Sequence, residues 1–369
     1  MTEKAENTNR TVVAVVYGGQ STEHSVSCIS AAAVIDHLDP ERFDVVPVGI
    51  TTEGQWVPGT TQTDTLRANG AAMPEVPAPG EGGETIQLMF GQPAGRLRYV
   101  TGGRAGELFA DVDVIFPVLH GVNGEDGTIQ GLFELSGVPY VGNGVLASAA
   151  GMDKEATKRL AREAGIPVGE ELILRENREL TDEEKQRLGL PLFVKPARGG
   201  SSIGISKVST WDQLAEAVDL AFAHDSKVIV EAMIYGAEVE CGVLQYADGS
   251  VVASVPAQLE GTEDGAEGFY GFDAKYVDST VTATIPAPLD AETTAAVRNL
   301  AIKTFEAVGC EGLARVDFFA TDSGPVLNEI NTLPGFTPIS MYPKMFAAEG
   351  TDFTELVEIL ISRALRIRQ

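Results

Sequence analysis

The chain has 369 residues, 44% of them hydrophobic, and a formal net charge of −26. That length exceeds what one ordinary hydrophobic core serves, so two or three domains are expected. A surface this acidic repels nucleic-acid phosphates and anionic lipid, and it requires any anionic substrate to be met locally by Lys, Arg or metal ions.

The polar start MTEKAENTNR lacks the apolar segment and cleavage site of a signal peptide. No apolar run reaches the ~18 residues of a membrane span. A cytoplasmic protein without nucleic-acid or membrane partners is expected. "TVVAVVYGG" reads as a buried strand ending in glycines, "VSCISAAAVIDHL" as a helix and "FDVVPVGI" as a second strand, a β-α-β opening. Its turn, GGQSTEH, lacks the GxGxxG spacing of a dinucleotide site. Glu23 lies in that turn, where an acid near a helix N-terminus is usually just a favourable dipole contact. Residues 58–84, rich in Pro, Gly and Thr, read as a mobile loop or an inserted excursion, and no role can be derived for residues 58–104. "DVDVIFPVLHG" reads as one buried strand ending at His120, and "GTIQGLFELSG" as a short helix ended by Gly137. A lone His at a strand end is more often structural than catalytic.

"MDKEATKRLAREAG" reads as one helix stopped by Gly165 and Pro167. Arg175–Leu188 is an acidic, helix-like, solvated face. The strands "LPLFVKPA", "GISKV" and "KVIVEAMI" follow, with the helix "WDQLAEAVDLAFAH" between the last two, and "EVECGVLQY" begins another strand run. A Gly-rich, acidic stretch, Leu259–Phe272, interrupts the β pattern. After the helix "DAETTAAVRNLAIKTFEAVG" comes "GLARVDFFATDSGPVLNEINTLPG", and the chain ends in the amphipathic helix "DFTELVEILISRALRIRQ". Cys28, Cys241 and Cys310 show no ligand spacing and read as buried thiols. Four histidines are too few for a His-based metal cluster.

The stretch after the long helix reads as a hairpin, Gly312–Ala320 and Pro325–Leu333, turning at Thr321–Gly324. Alternation puts Ala314, Val316 and Phe318 on one face and Arg315 and Asp317 on the other, while Leu327, Glu329 and Asn331 share a face of the second strand. Matched faces gather Arg315, Asp317, Glu329 and Asn331. Carboxylates on a buried sheet face need a cation, and Asp, Glu and Asn form a hard oxygen set suited to Mg²⁺. The bland alternative is a salt bridge with Arg315. "NTLPGFTPIS" then offers backbone N–H groups and the Ser340 hydroxyl for a carboxylate or oxyanion. In "FVKPARGGSSIGI", Lys195 ends a strand, and a Gly/Ser loop follows that is either a phosphate cradle or a flexible turn. No Walker A sequence occurs. In "KVIVEAMIYGAEVE", Glu231 and Glu238 flank an apolar link that could face adenine, or they are ordinary solvated carboxylates.

Together "YGGQSTEHSVS", "LHGVNGEDGTIQG", "MDK", "VKPARGGSSIGI", Lys275-Tyr276, "ARVDFF" and "NEINTLPGFTPIS" resemble the D-alanine–D-alanine ligases of the ATP-grasp superfamily, in the family's order and over nearly the whole chain. The resemblance implies an α/β and α+β protein: a Rossmann-like pre-ATP-grasp domain (1–145), a central ATP-grasp domain (146–236) and a C-terminal ATP-grasp domain (237–369) with a mobile loop at about 259–280. It implies ATP as a substrate, two D-alanines joined through a D-alanyl phosphate for peptidoglycan precursors, two Mg²⁺ ions or Mn²⁺ in their place, and a homodimer. Some family members are activated by a monovalent cation, which no residue here addresses.

By the same resemblance Asp317, Glu329 and Asn331 hold the metals, and Arg315 stabilises the transferring phosphoryl group and the tetrahedral intermediate. Lys154 and Lys195 contact ATP phosphates under the Gly200, Ser201 and Ser202 loop. Glu231, Ala232, Met233, Ile234 and Glu238 hold adenosine, with Lys275 also at the ATP site. Glu23 pairs with the first D-alanine's ammonium near His120, while Ser340 and the Gly335 amide bind the second carboxylate. Glu23, Ser201 and Tyr276 tie the mobile loop over the site. Ser25 and Gly199 depart from acids found in some relatives. The rivals are a D-alanine–D-lactate ligase, disfavoured by Lys275-Tyr276, and a non-catalytic ATP-binding regulatory protein, disfavoured by the intact hairpin set.

Overall fold

The computed structural model describes residues 10–69, 72–91, 93–261 and 282–366. Strand β1 (Thr11–Gly18) is flanked in parallel by β2 (Phe43–Ile50) and β7 (Val114–Pro117), with β3 (Trp56–Pro58) antiparallel on the edge. Val13, Ala14, Val15 and Val16 are fully buried, which is why β1 reads as an unbroken apolar run: both of its faces are covered. The helix His24–His37 joins β1 to β2, as the sequence predicts.

Residues 58–84, expected as a mobile loop or an inserted excursion, hold a 3₁₀ turn at Thr63–Leu66. The remainder of the 58–104 stretch contributes β4 (Ile86–Leu88) and β5 (Arg96–Tyr99), which pair with β6 (Leu108–Asp111) in a three-stranded antiparallel sheet. Ile86, Leu88, Leu97 and Tyr99 pack into one core with Ala14, Val16 and Ile115. Within the Pro/Gly-rich part Val76 is a buried plug, and its N–H donates to His24 Nε2 at 2.9 Å. The predicted strand over "DVDVIFPVLHG" is two pieces, because β6 and β7 belong to different sheets and the chain switches between them at Val112-Asp113.

The middle of the chain forms the sheet β10-β9-β11-β8, built from β8 (Glu171–Leu174), β9 (Leu192–Pro196), β10 (Ser206–Val208) and β11 (Val228–Ala232), all neighbours antiparallel. The helix Leu214–His224 covers it, following a 3₁₀ turn at Trp211–Gln213. The helix expected over "MDKEATKRLAREAG" is Lys154–Glu163, capped by Asp153, which accepts from the Ala156 N–H at 3.1 Å and separates it from a preceding helix, Val145–Met152, that the sequence reading does not draw. Only Asp182–Leu188 of the acidic segment is helical; it starts at a capping box between Thr181 and Glu184.

The third sheet runs β15-β14-β12-β16-β17, with β13 paired to β12. Its strands are β12 (Ala237–Gln245), β13 (Val251–Ala253), β14 (Ala257–Glu260), β15 (Thr282–Thr284), β16 (Leu313–Thr321) and β17 (Gly324–Asn331). The hairpin β16–β17 turns more tightly than expected, with Thr321 paired to Gly324. A bulge at Asn328 shifts the register between Asp317 and Phe318. Leu327 therefore joins Phe318, Val316 and Ile330 in the core rather than sharing the face of Glu329. The helices Ala291–Val308, Met341–Ala347 and Phe353–Arg366 complete the fold. Among the described residues, no helix is long and apolar enough to cross a membrane. Most of the expected mobile loop, with Lys275 and Tyr276, lies outside the described residues.

Candidate active site

The bulge leaves the polar face intact up to Asn331. Arg315 stands opposite Asn331, and Asp317 opposite Glu329. Arg315 Nε and a terminal nitrogen donate to the two Asp317 oxygens at 2.8 and 2.7 Å, and Asn331 Nδ2 donates to Asp317 Oδ2 at 3.0 Å. On the neighbouring strand Glu240 lies opposite Asp317, its Oε2 3.4 Å from Arg315 Nε. Desolvation pulls the guanidinium pKa down, but Asp317 and Glu240 outweigh it and hold Arg315 charged. Asp317 thus belongs both to the salt bridge and to the candidate ligand set. Two carboxylates and an amide are hard oxygen donors, and this set fits a Mg²⁺ ion whose other positions are taken by water and phosphate oxygens. Among the described residues there is no cluster of three His, Cys, Asp or Glu side chains able to make a protein-only cage.

Across the cavity, Lys154 opens its helix and donates to the Gly199 carbonyl at 3.0 Å, with Glu329 Oε2 3.5 Å away. Its backbone is pinned to the loop by Lys154 N–H to Ala197 O at 3.0 Å. Lys195, at the end of β9, sits 2.6 Å from Glu231 Oε2, and the other Glu231 oxygen pairs with the buried Lys158. Desolvation pushes the Glu231 carboxyl up, and the two ammonium groups more than reverse that. Ser201 and Ser202 both adopt left-handed backbone, φ 53° and 57°, a conformation costly for residues with a Cβ and concentrated at functional sites. Ser201 Oγ is buried with no hydrogen-bond partner among the described residues.

The N-terminal domain closes the other end. Glu23 is buried at the start of its helix. Its carboxylate lies so near Gly121 that a Cβ there would meet Oε2 at 2.9 Å, and one on Gly200 at 3.5 Å. His120 Nε2 is 3.1 Å from Ser30 Oγ. Desolvation lowers its pKa, while Glu23 and the Leu333 backbone oppose the shift. The turn after His120 folds back so that the Gly121 N–H donates to Glu125 Oε2 at 2.6 Å. Desolvation, then Glu23, push the Glu125 carboxyl up to about 8 against backbone donors and Arg315. Ser340 Oγ accepts from the Thr337 N–H at 3.0 Å, and a Cβ on Gly335 would come within 2.8 Å of it.

These groups line one cavity of ≈ 680 Å³. Glu23, His120, Lys154, Lys195, Gly200, Ser201, Ser202, Glu231, Ala232, Met233, Ile234, Glu238, Arg315, Glu329, Asn331, Gly335 and Ser340 all face it, whereas Asp317 sits behind Arg315. Glu125, Lys158 and Glu240 escape the sequence reading. Glu125 could have been found from its place in a Gly-rich turn five residues after His120. Lys158 could have been found one helical turn after Lys154.

The chain belongs to the D-Ala-D-Ala ligase family. A model of the D-ala D-ala ligase N-terminus matches residues 12–143, and one of the C-terminus matches residues 160–362. It is 72% identical to the D-alanine–D-alanine ligase of Corynebacterium jeikeium over 99% of this chain and 100% of that one, and 67% identical to that of Corynebacterium urealyticum over 96% and 98%. Among solved structures, the VanG D-Ala:D-Ser ligase of Enterococcus faecalis superposes with TM-score 0.82 at 36% identity, covering 96% of this chain and 99% of that one. The D-alanine–D-alanine ligase of Coxiella burnetii gives TM-score 0.82 at 34% identity, covering 98% and 95%. The fold is thus the α/β and α+β ATP-grasp arrangement expected from the sequence motifs.

Proposed function

We propose that this chain is an ATP-dependent ligase that joins two D-alanines into D-alanyl-D-alanine for peptidoglycan precursor synthesis. The observation that carries this is one cavity whose lining offers two chemistries. Lys154, Lys195, the Gly200–Ser202 loop and the Arg315/Glu329/Asn331 face offer cations and oxygen donors for a polyphosphate, and Glu23, His120, Gly335 and Ser340 offer groups for an amino acid. The identities to D-alanine–D-alanine ligases support D-alanine over D-lactate as acceptor.

Glu23 holds the ammonium of the first D-alanine, and an oxygen of that D-alanine's own carboxylate attacks the γ-phosphorus of ATP. ADP leaves, giving an acyl phosphate. The amine of the second D-alanine, whose carboxylate is held by Ser340 and the Gly335 N–H, attacks the acyl carbon. The resulting tetrahedral oxyanion collapses, the C–O bond to phosphate breaks, and inorganic phosphate leaves while the amine proton passes to water or a nearby base. Arg315 stabilises negative charge through both steps. Asp317, Glu329 and Asn331 would hold Mg²⁺, which neutralises phosphate charge when bound; Asp317 must then yield part of its pairing with Arg315. Ala232–Ile234, Glu231 and Glu238 hold adenosine. With domains divided at residues 145 and 236, as the family resemblance implies, the nucleotide would lie between the second and third. A homodimer is supported by Leu135 and Leu146, 74% and 75% exposed on adjacent helices. Phosphate release tests the reaction: it should require D-alanine and give D-alanyl-D-alanine by mass. Release that proceeds equally with L-alanine, or a depsipeptide as main product beside D-lactate near neutral pH, would remove the substrate assignment.

A further inference from the structure

Lys158 has no place in the chemistry above, yet it is 2% exposed at the wall of the cavity. Its ion partner among the described residues is Glu231, whose second oxygen is held by Lys195 at 2.6 Å. Two ammonium groups share one carboxylate, so neither has Glu231 to itself. Burying a charge that shares its nearest partner is costly. A chain that only needed Lys195 and Glu231 to hold each other would do better with an apolar side chain at position 158. The helix Lys154–Glu163 delivers both Lys154 and Lys158, one turn apart, to the same cavity.

We propose that Lys158 is a positioning residue that keeps Lys195 available to a nucleotide polyphosphate by occupying half of Glu231. This rests on the reading of the cavity as an ATP site. Without Lys158, both Glu231 oxygens are free to close on Lys195, and a phosphate meets a lysine already neutralised. With Lys158 present, Glu231 is shared, and Lys195, near the end of β9 beside the Gly/Ser loop, is less tightly held by it. Desolvation pulls the Lys195 pKa down, but Glu231, then Glu329 and Glu238, raise it, so the lysine stays charged.

The test is calorimetric titration of ADP into the full-length protein, with thermal unfolding of each variant alongside. Wild type binds ADP. K158M binds about tenfold more weakly or worse. Adenosine, which carries no phosphate, binds K158M within about threefold of wild type, because the defect lies at Lys195. A purely structural Lys158 would weaken both ligands alike. A folded K158M with wild-type ADP affinity overturns the assignment, and so does a folded K158M that loses adenosine and ADP equally. Should K158M not fold, K158Q is titrated with the same two ligands and read by the same outcomes. No ADP binding by wild type overturns the nucleotide reading itself, and this inference with it.

Discussion

A methyl group on Gly335 would sit 2.8 Å from Ser340 Oγ, inside any tolerable contact. Gly335→Ala should therefore displace the Ser340 hydroxyl and raise KM for the second D-alanine about tenfold, with KM for ATP unchanged; an equal rise in both would contradict the placement. Glu329→Gln should abolish turnover while leaving the unfolding midpoint of the nucleotide-free protein nearly unchanged, since this carboxylate's pairing with Lys154 at 3.5 Å is loose. Near-normal turnover would remove Glu329 from the metal set. Glu125 has a raised folded pKa of about 8, so the stability it contributes is full below the unfolded carboxyl range and is lost as pH rises toward 8. Glu125→Gln should flatten that loss in pH-dependent unfolding, and an unchanged profile would refute it. At this scale Asp317, Glu329, Asn331 and Arg315 were legible because strand alternation forces them onto one face. Glu240 was not, because its partner Arg315 lies on the neighbouring strand; the spacing of Lys158 from Lys154 was legible, but not its pairing with Glu231, which joins a helix to β11.

The elements show where local pattern suffices and where it fails. The β-α-β opening and the hairpin follow from periodicity and turn residues. The bulge at Asn328 does not, since no residue type there demands an extra position, and it reverses the face of Leu327. The strands at 86–88 and 96–99 went unread beside a Pro- and Gly-rich stretch that signals a loop, while the burial of Val76, Ile86 and Leu88 is a tertiary fact. The helix break at Asp153 was available in principle, as Asp is a favoured cap. Asp153 also pairs with Lys227. Asp153→Ala should cost about 1–2 kcal/mol in denaturant unfolding and weaken ATP binding by loosening Lys154. A stability loss with unchanged ATP affinity would show that the cap does not place the lysine.

At the scale of the whole molecule, the C-terminal helix bridges two sheets. Leu356, Leu360 and Ile361 share a core with Val13, Val15 and Phe116 of the N-terminal sheet and with Leu244 and Leu313 of the third sheet. This docking ties the sheet that leads to Glu23 and His120 to the sheet that carries Arg315. The contact joins the two ends of the chain, which is why amphipathicity announced the helix but not its partner. Leu360→Ala, at a fully buried site, should cost about 2–5 kcal/mol and raise KM for D-alanine beyond that for ATP. The central claim, phosphorylation of the first D-alanine's carboxylate, has a direct test: D-alanine with both carboxyl oxygens replaced by ¹⁸O, ATP and Mg²⁺, and mass analysis of the released phosphate. The account predicts one ¹⁸O atom in each phosphate, carried over from the attacking carboxylate. Phosphate free of ¹⁸O while D-alanyl-D-alanine accumulates would contradict it.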